Sequence, residues 1–191
     1  GDDGVTKDRM SADSALYVPG ENKNFTTYLK GTVQIDTSDG LKVNTNSITY
    51  TRGTETAEID EAVSYERENI RGRSFGAVVR MAEKRLELLK DVEIETFESP
   101  ELAASNIRYA KMNAGTATFD HIANKIDLVS NVEIIVNGKG RNSDINANRV
   151  VASLVGADAR SRQLKKFELF ENVRITSTET GGSPTNISSG Y

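Results

Sequence analysis

Leu86-Glu87-Leu88-Leu89-Lys90-Asp91-Val92-Glu93-Ile94 returns as Ile126-Asp127-Leu128-Val129-Ser130-Asn131-Val132-Glu133-Ile134, and again as Phe167-Glu168-Leu169-Phe170-Glu171-Asn172-Val173-Arg174-Ile175. The copies begin 40 and 41 residues apart, so the chain rebuilds one unit instead of folding around a single irregular core. Within each copy apolar residues stand two apart. In an extended strand that spacing points them all to one face, the pattern of a sheet with one buried side. The middle inward position is polar in every copy (Lys90, Ser130, Glu171) and is followed by Asp91, Asn131 or Asn172. Such a pair suits a bulge better than straight packing, so the spacing predicts a kink repeated in register.

Working outward, strand signals recur every 8 to 12 residues in both directions. Val33-Gln34-Ile35 alternates, Thr37-Ser38-Asp39-Gly40 supplies a turn, and Leu41-Lys42-Val43 alternates again, which predicts a hairpin. Ile48-Thr49-Tyr50, Ala57-Glu58-Ile59, Val63-Ser64-Tyr65, Ile107-Arg108-Tyr109 and Ala117-Thr118-Phe119 continue the series. Residues 76–90 also fit one helical face, through Val78, Ala82, Leu86 and Leu89. Their repeat partners are rich in β-branched residues, so equivalence predicts strand there, after a turn at 81–84. Residues 1–14 and 178–191 are polar and turn-forming, and are expected to be flexible tails on either side of one all-β domain, 15–177.

The chain has 24 basic and 28 acidic residues among 191, a net charge of −4 that offers no basic field to phosphate backbones. With no cysteine there is no disulfide, thiol nucleophile or thiolate metal site. No run approaches the ~20 apolar residues that cross a bilayer. The chain starts at Gly1, consistent with a signal or anchor having been removed.

Catalytic chemistry finds little to stand on. His121 is the sole histidine, and beside Phe119 and Ile122 it reads as a turn residue rather than a metal ligand or base. Glu58, Asp60 and Glu61 would offer a glycosidase-like carboxylate pair, but at strand spacing they read as a solvated face. Gly72-Arg73-Ser74-Phe75-Gly76 is too loose for a phosphate loop. Tyr28, Tyr50, Tyr65 and Tyr109 read as sheet packing before they read as stacking platforms. The expectation is a protein that is not an enzyme and has no cofactor and no metal.

The inward face remains: Val33, Ile35, Val43, Ile48, Ile59, Val63, Phe75, Leu86, Leu88, Val92, Ile94, Phe119, Ile126, Leu128, Val132, Ile134, Phe167, Leu169, Val173 and Ile175. Leu41, Ile70, Val78, Ile107, Val150 and Leu154 extend it. If the sheet folds over like a taco, these aliphatics fill a long trough. A solid trough is simply a core. An imperfectly closed one accepts acyl chains, at about 0.8 kcal/mol per buried methylene.

The order of phrases resembles a family. Leu29-Lys30-Gly31-Thr32-Val33-Gln34-Ile35, Asp39-Gly40-Leu41-Lys42-Val43, Ser47-Ile48-Thr49-Tyr50, Val63-Ser64-Tyr65, Ile70-Arg71-Gly72 and the Leu86 phrase together look like the LptC/OstA-like lipopolysaccharide export proteins. The likeness divides the domain into a family-like half, 15–97, and a looser second repeat, 98–177. It implies an elongated antiparallel β-jelly roll, open at both edge strands, in the periplasm. It further implies lipopolysaccharide held by its acyl chains on the inward face, and partners of the same architecture joined edge to edge, with docking edges near Tyr28 to Ile35 and near Phe167 to Thr176. An inner-membrane transporter complex, and an N-terminal tether absent from this chain, belong to the same implication. Whether this is the anchored type or the soluble bridge type stays open. The alternatives are a cell-envelope β-repeat scaffold without lipid cargo and a jelly-roll enzyme acting on polysaccharide.

Overall fold

The computed structural model describes residues 9–36, 40–97, 106–155, 163–179 and 181–189. Among them there are fifteen strands and no helix: β1 (Arg9–Ser11), β2 (Ser14–Pro19), β3 (Phe25–Asp36), β4 (Lys42–Thr51), β5 (Thr56–Arg67), β6 (Ile70–Arg80), β7 (Arg85–Leu88), β8 (Val92–Phe97), β9 (Ile107–Ala114), β10 (Thr116–Asp120), β11 (Lys125–Gly138), β12 (Arg141–Val155), β13 (Gln163–Phe170), β14 (Val173–Glu179) and β15 (Thr185–Ser189). All belong to one sheet, and every pairing is antiparallel. The stretch that fits either helix or strand is strand: β7 follows a turn at 81–84.

The sheet is creased. β3 pairs with β2 through its first half and with β1 through its second, with a register shift between Lys30 and Val33. Shifts at Asn44/Thr49, Ile59/Ala62 and Val129/Val132 continue the line. The breaks between β7 and β8, β10 and β9, and β13 and β14 fall on it as well. One wing therefore holds β2, β7, β10 and β13, and the other holds β1, β8, β9, β14 and β15, while β3, β4, β5, β6, β11 and β12 cross from wing to wing.

Leu29, Ile48, Ile59, Leu88, Leu128 and Val150 on one wing, and Val33, Val63, Val92, Ile94, Val132 and Ile134 on the other, are all buried in one cluster. With no helix to cover them, they leave water by facing each other across the fold. This is the folded-over antiparallel β-jelly roll, and the wings enclose its core.

The predicted kinks are in the crease. Asp91 (φ 50°), Ser130 and Asn131 (70° and 50°), and Glu171 and Asn172 (58° and 53°) occupy the left-handed region, and Lys90, Ser130 and Glu171 are exposed there. Short polar side chains tolerate that region best, which explains the Asp and Asn of the phrase. Backbone bonds stitch the bends together: Gly115 N donates to Ser130 O and Phe75 N to Lys90 O, each at 2.8 Å, and Asn148 N to Glu171 O at 2.9 Å.

Three expectations are corrected. Arg9–Ser11, expected within a flexible tail 1–14, pairs with β3, and β2 starts at Ser14. The C-terminal tail likewise contains β15, paired with β14 through Thr185–Ser189. In consequence neither Tyr28 to Ile35 nor Val173 to Thr176 is an edge. One wing ends on β2 and β13, and the other on β1 and β15. The β3–β4 hairpin is present, while residues 37–39 of its expected turn lie outside the described residues.

Candidate functional site: an apolar trough

Two rungs run the length of the inward face. In one wing Ile59, Ala77, Leu88, Ala117, Leu128, Val150 and Leu169 stand in register. In the other Val43, Tyr65, Gly72, Ile94, Met112, Ile134, Ile145, Ile175 and Ile187 do so. Of the residues expected to line the trough, Val33, Ile48, Ile59, Val63, Leu88, Val92, Ile94, Leu128, Val132 and Ile134 are buried. Ile35, Val43, Leu86, Phe119, Ile126, Phe167, Leu169 and Val173 are half-buried and packed against them. Ile175 is half-buried.

Phe75 is not in the trough; it is 51% exposed. The crease crosses β6 at this point: Gly76 takes φ +80°, Ser74 is buried with its hydroxyl donating to Gly76 O at 3.1 Å, and Phe75 turns outward. The bulge reverses the alternation downstream, so Val78 stands between Glu58 and Glu87 on the outer face. Ile70, at the strand end, is 38% exposed.

Sequence reading passed over the trough's small residues. Ala77, Ala114, Ala117 and Ala147 are buried, and their alternate spacing was the signal available. Tyr65 was also missed as an inward group. Its ring lies over Gly72, where a Cβ would run into it, an aromatic covering the gap left by a strand glycine.

The buried side chains of the two wings pack into one cluster along the trough. The trough opens into a cavity of about 280 Å³ between the wings, walled by Val43, Ile59, Val63, Tyr65, Leu86 and Leu88. Arg80, Met81, Lys84, Arg85 and His121 also border it. Arg80 and Arg85 stand opposite each other and share Glu87, at 3.4 and 3.1 Å, and Asp120 is the register partner of Arg85 on the next strand. His121 N donates to Lys84 O at 3.1 Å, tying this turn to the β6–β7 turn. Tyr65 Oη is buried without a hydrogen-bond partner, and burial pushes its pKa above the ordinary tyrosine value, so it is protonated at neutral pH.

The outer face of the second wing is charged in alternation: Asp36, Lys42, Glu66, Arg71, Glu95 and Lys111 follow one another across six strands. Beside this row Glu93 receives Lys111 Nζ at 2.7 Å and lies 3.0 Å from Arg73 Nε. Lys111 first, then Arg73, hold the Glu93 carboxyl below the usual carboxylate range. The two faces of the sheet are thus chemically opposed.

No group of three or more His, Asp or Glu side chains able to hold a metal occurs among the described residues. No helix among them is long and apolar enough to cross a membrane.

No curated protein matches the sequence. A solved structure, LptH from Pseudomonas aeruginosa, described as the LptA-homologous periplasmic component of the lipopolysaccharide transport device, aligns with 85% of this chain and 92% of its own. Its identity is 13% and the TM-score 0.31. The family model for LptC-related lipopolysaccharide assembly matches residues 2–98, 97 of the 191 residues and all the described strands from β1 to β8. The chain belongs to the LptC-related lipopolysaccharide-assembly family.

Proposed function

We propose that this protein carries lipopolysaccharide by its acyl chains in the trough, in the periplasm, as one unit of an edge-paired bridge between the inner and outer membranes. The observation that carries the reading is the cavity between the wings of a lipopolysaccharide-assembly family fold, with aliphatic walls and with Arg80, Lys84 and Arg85 at its border. Val43, Ile59, Val63, Leu86 and Leu88 are the expected cargo contacts, and the other buried aliphatics serve as packing. The second half of the sheet, 98–177, is read as a further copy of the family unit that lengthens the trough.

The edges support assembly. β1 and β2 leave one side unpaired, and Met10, Leu16, Tyr17 and Val18 on them are 42 to 59% exposed. An unpaired strand with apolar side chains on both faces is a template for another strand, so β-augmentation continues the sheet and the trough together. An inner-membrane transporter complex is the expected upstream partner.

The test is photocrosslinking to purified lipopolysaccharide, with a photoreactive residue placed at Val43 or Leu86, and at the outward Glu87 or Glu133 as controls. Crosslinks confined to the two inward positions are expected. Silence at every position in folded protein would favour a scaffold without cargo, which the solid packing around Val33, Val132 and Val150 would also suit.

A further inference from the structure

We propose that a groove on the outer face of the sheet, running along the crease, binds an uncharged glycan chain through side-chain amides and the ring of Phe75. The groove lies on the opposite side of the sheet from the trough, and the proposal is independent of what the trough carries.

The groove crosses β3, β4, β5, β6, β8 and β9 and encloses about 890 Å³. Gln34, Asn44, Ser64, Arg73, Glu93 and Asn113 are successive register partners across these six strands, so they form one row. The row faces outward, because Gln34 stands between inward Val33 and Ile35, Ser64 between Val63 and Tyr65, and Glu93 between Val92 and Ile94. At the ~4.8 Å spacing of neighbouring strands it is about 24 Å long, which suits an oligosaccharide better than a single sugar. The crease supplies the floor. Thr45 and Ser74 are buried there, and their hydroxyls donate within the sheet, to Ala62 O at 3.0 Å and Gly76 O at 3.1 Å.

The side chains above this floor are unusual for strands. Asparagine is depleted in sheets, and the next row on the same face, Asp36, Lys42, Glu66 and Arg71, is built from alternating charges. In the groove β3, β4 and β5 present amides and a hydroxyl instead. Gln34, Asn44, Asn46 and Ser64 are exposed, and their side chains make no hydrogen bond to the described residues. A primary amide carries two donors and an acceptor in one plane, a set that matches the neighbouring hydroxyls of a sugar. Phe75, 51% exposed, borders the same groove and offers a flat apolar surface on which a pyranose ring can lie.

Other ligand classes fit less well. The charges at the groove are matched: Arg73 lies 3.0 Å and Lys111 2.7 Å from Glu93, and Lys90 lies 3.8 Å from Asp91. A phosphate chain would therefore have to break an existing ion pair. β4, β5 and β6 are already paired along both sides, so an extended peptide finds no edge to join. A neutral, hydroxyl-rich chain needs neither a free cation nor a free edge.

The experiment uses the full chain, isotope-labelled, and follows backbone amide signals while cellohexaose, maltohexaose or chitohexaose is titrated into the wild type, Asn44→Ala, Phe75→Ala and Phe75→Tyr. At least one of the sugars is expected to move the signals of residues 32–34, 44–46, 62–64 and 73–75 and to leave those of Leu88 and Leu128 in place. Asn44→Ala is expected to weaken that binding roughly fivefold to tenfold, the loss of about one neutral hydrogen bond. Phe75→Ala is expected to weaken it at least as much, while Phe75→Tyr keeps it. Both positions are exposed, so the variants are expected to fold, which the same spectra read directly. Silence towards all three sugars, shifts confined to the trough, or affinities unmoved by Asn44→Ala and Phe75→Ala would overturn the proposal and leave the carrier reading intact. Tighter binding of dextran sulfate than of uncharged dextran would overturn it too, since charge and not hydroxyl groups would then be recognised.

Discussion

Asn131 shows how one side chain shapes the sheet. It is exposed, packs against nothing in the core, and holds φ at +50° where β11 bends. Asparagine tolerates that conformation, whereas a β-branched residue meets its own backbone. Asn131→Val is expected to cost roughly 1–2 kcal/mol in chemical denaturation at an unchanged m-value. Asn131→Gly should stay within about 1 kcal/mol of the wild type, since relief at positive φ and the entropy of the unfolded chain offset each other. Equal stabilities for the valine and wild-type proteins would mean that the bend is not made here. This much was legible in sequence, because Asp91, Asn131 and Asn172 each follow a polar residue inside an apolar alternation. The outward turn of Phe75 was not legible. It follows Arg71 and Arg73 on the outer face, and the bulge at Gly76 then shifts the phase, so that Ala77 is buried although it stands two residues after Phe75.

Among the elements, the repeats at Leu86, Ile126 and Phe167 announced three crossings of the crease, while others carry no such phrase. β3 crosses through Gly31 and Thr32, both at positive φ, and β5 by a register shift between Ile59 and Ala62. Those crossings are fixed by hydrogen bonding to neighbouring strands, so no shared phrase marks them. Edges were misread for a related reason. Arg9–Ser11 and Thr185–Ser189 have almost no hydrophobic alternation and become strands because β3 and β14 offer them partners. The N-terminal edge is the better docking template, since Leu16 and Val18 are 59% and 42% exposed. Replacing both with lysine should leave stability within about 0.5 kcal/mol, as for surface changes in general, while blocking strand addition by charge. Concentration-dependent association, followed by sedimentation velocity, should weaken in the double variant. Unchanged association would place the contact on another edge.

For the molecule as a whole, strand order along the sheet largely follows chain order, so contacts are made between near neighbours and no closing pair ties the first strand to the last. Such a chain behaves more like a stack of units than like a closed barrel, and stability is distributed along it. The middle is held on both sides: β5, β6, β11 and β12 carry half of the buried cluster and are paired along both edges. The ends are held on one side, and every residue of β1, β2 and β15 is exposed. Local opening should therefore begin at the edges and reach the trough last. Under the proposed strand-paired assembly this gradient has a use, because an edge can fray and re-pair with a partner while the cavity by Tyr65 keeps its shape. Hydrogen exchange read by mass spectrometry should show residues 9–19 and 185–189 exchanging well before 56–80 and 125–152. Equal protection throughout would mean that the sheet opens as one cooperative block, and edge exchange would then require unfolding of the trough itself.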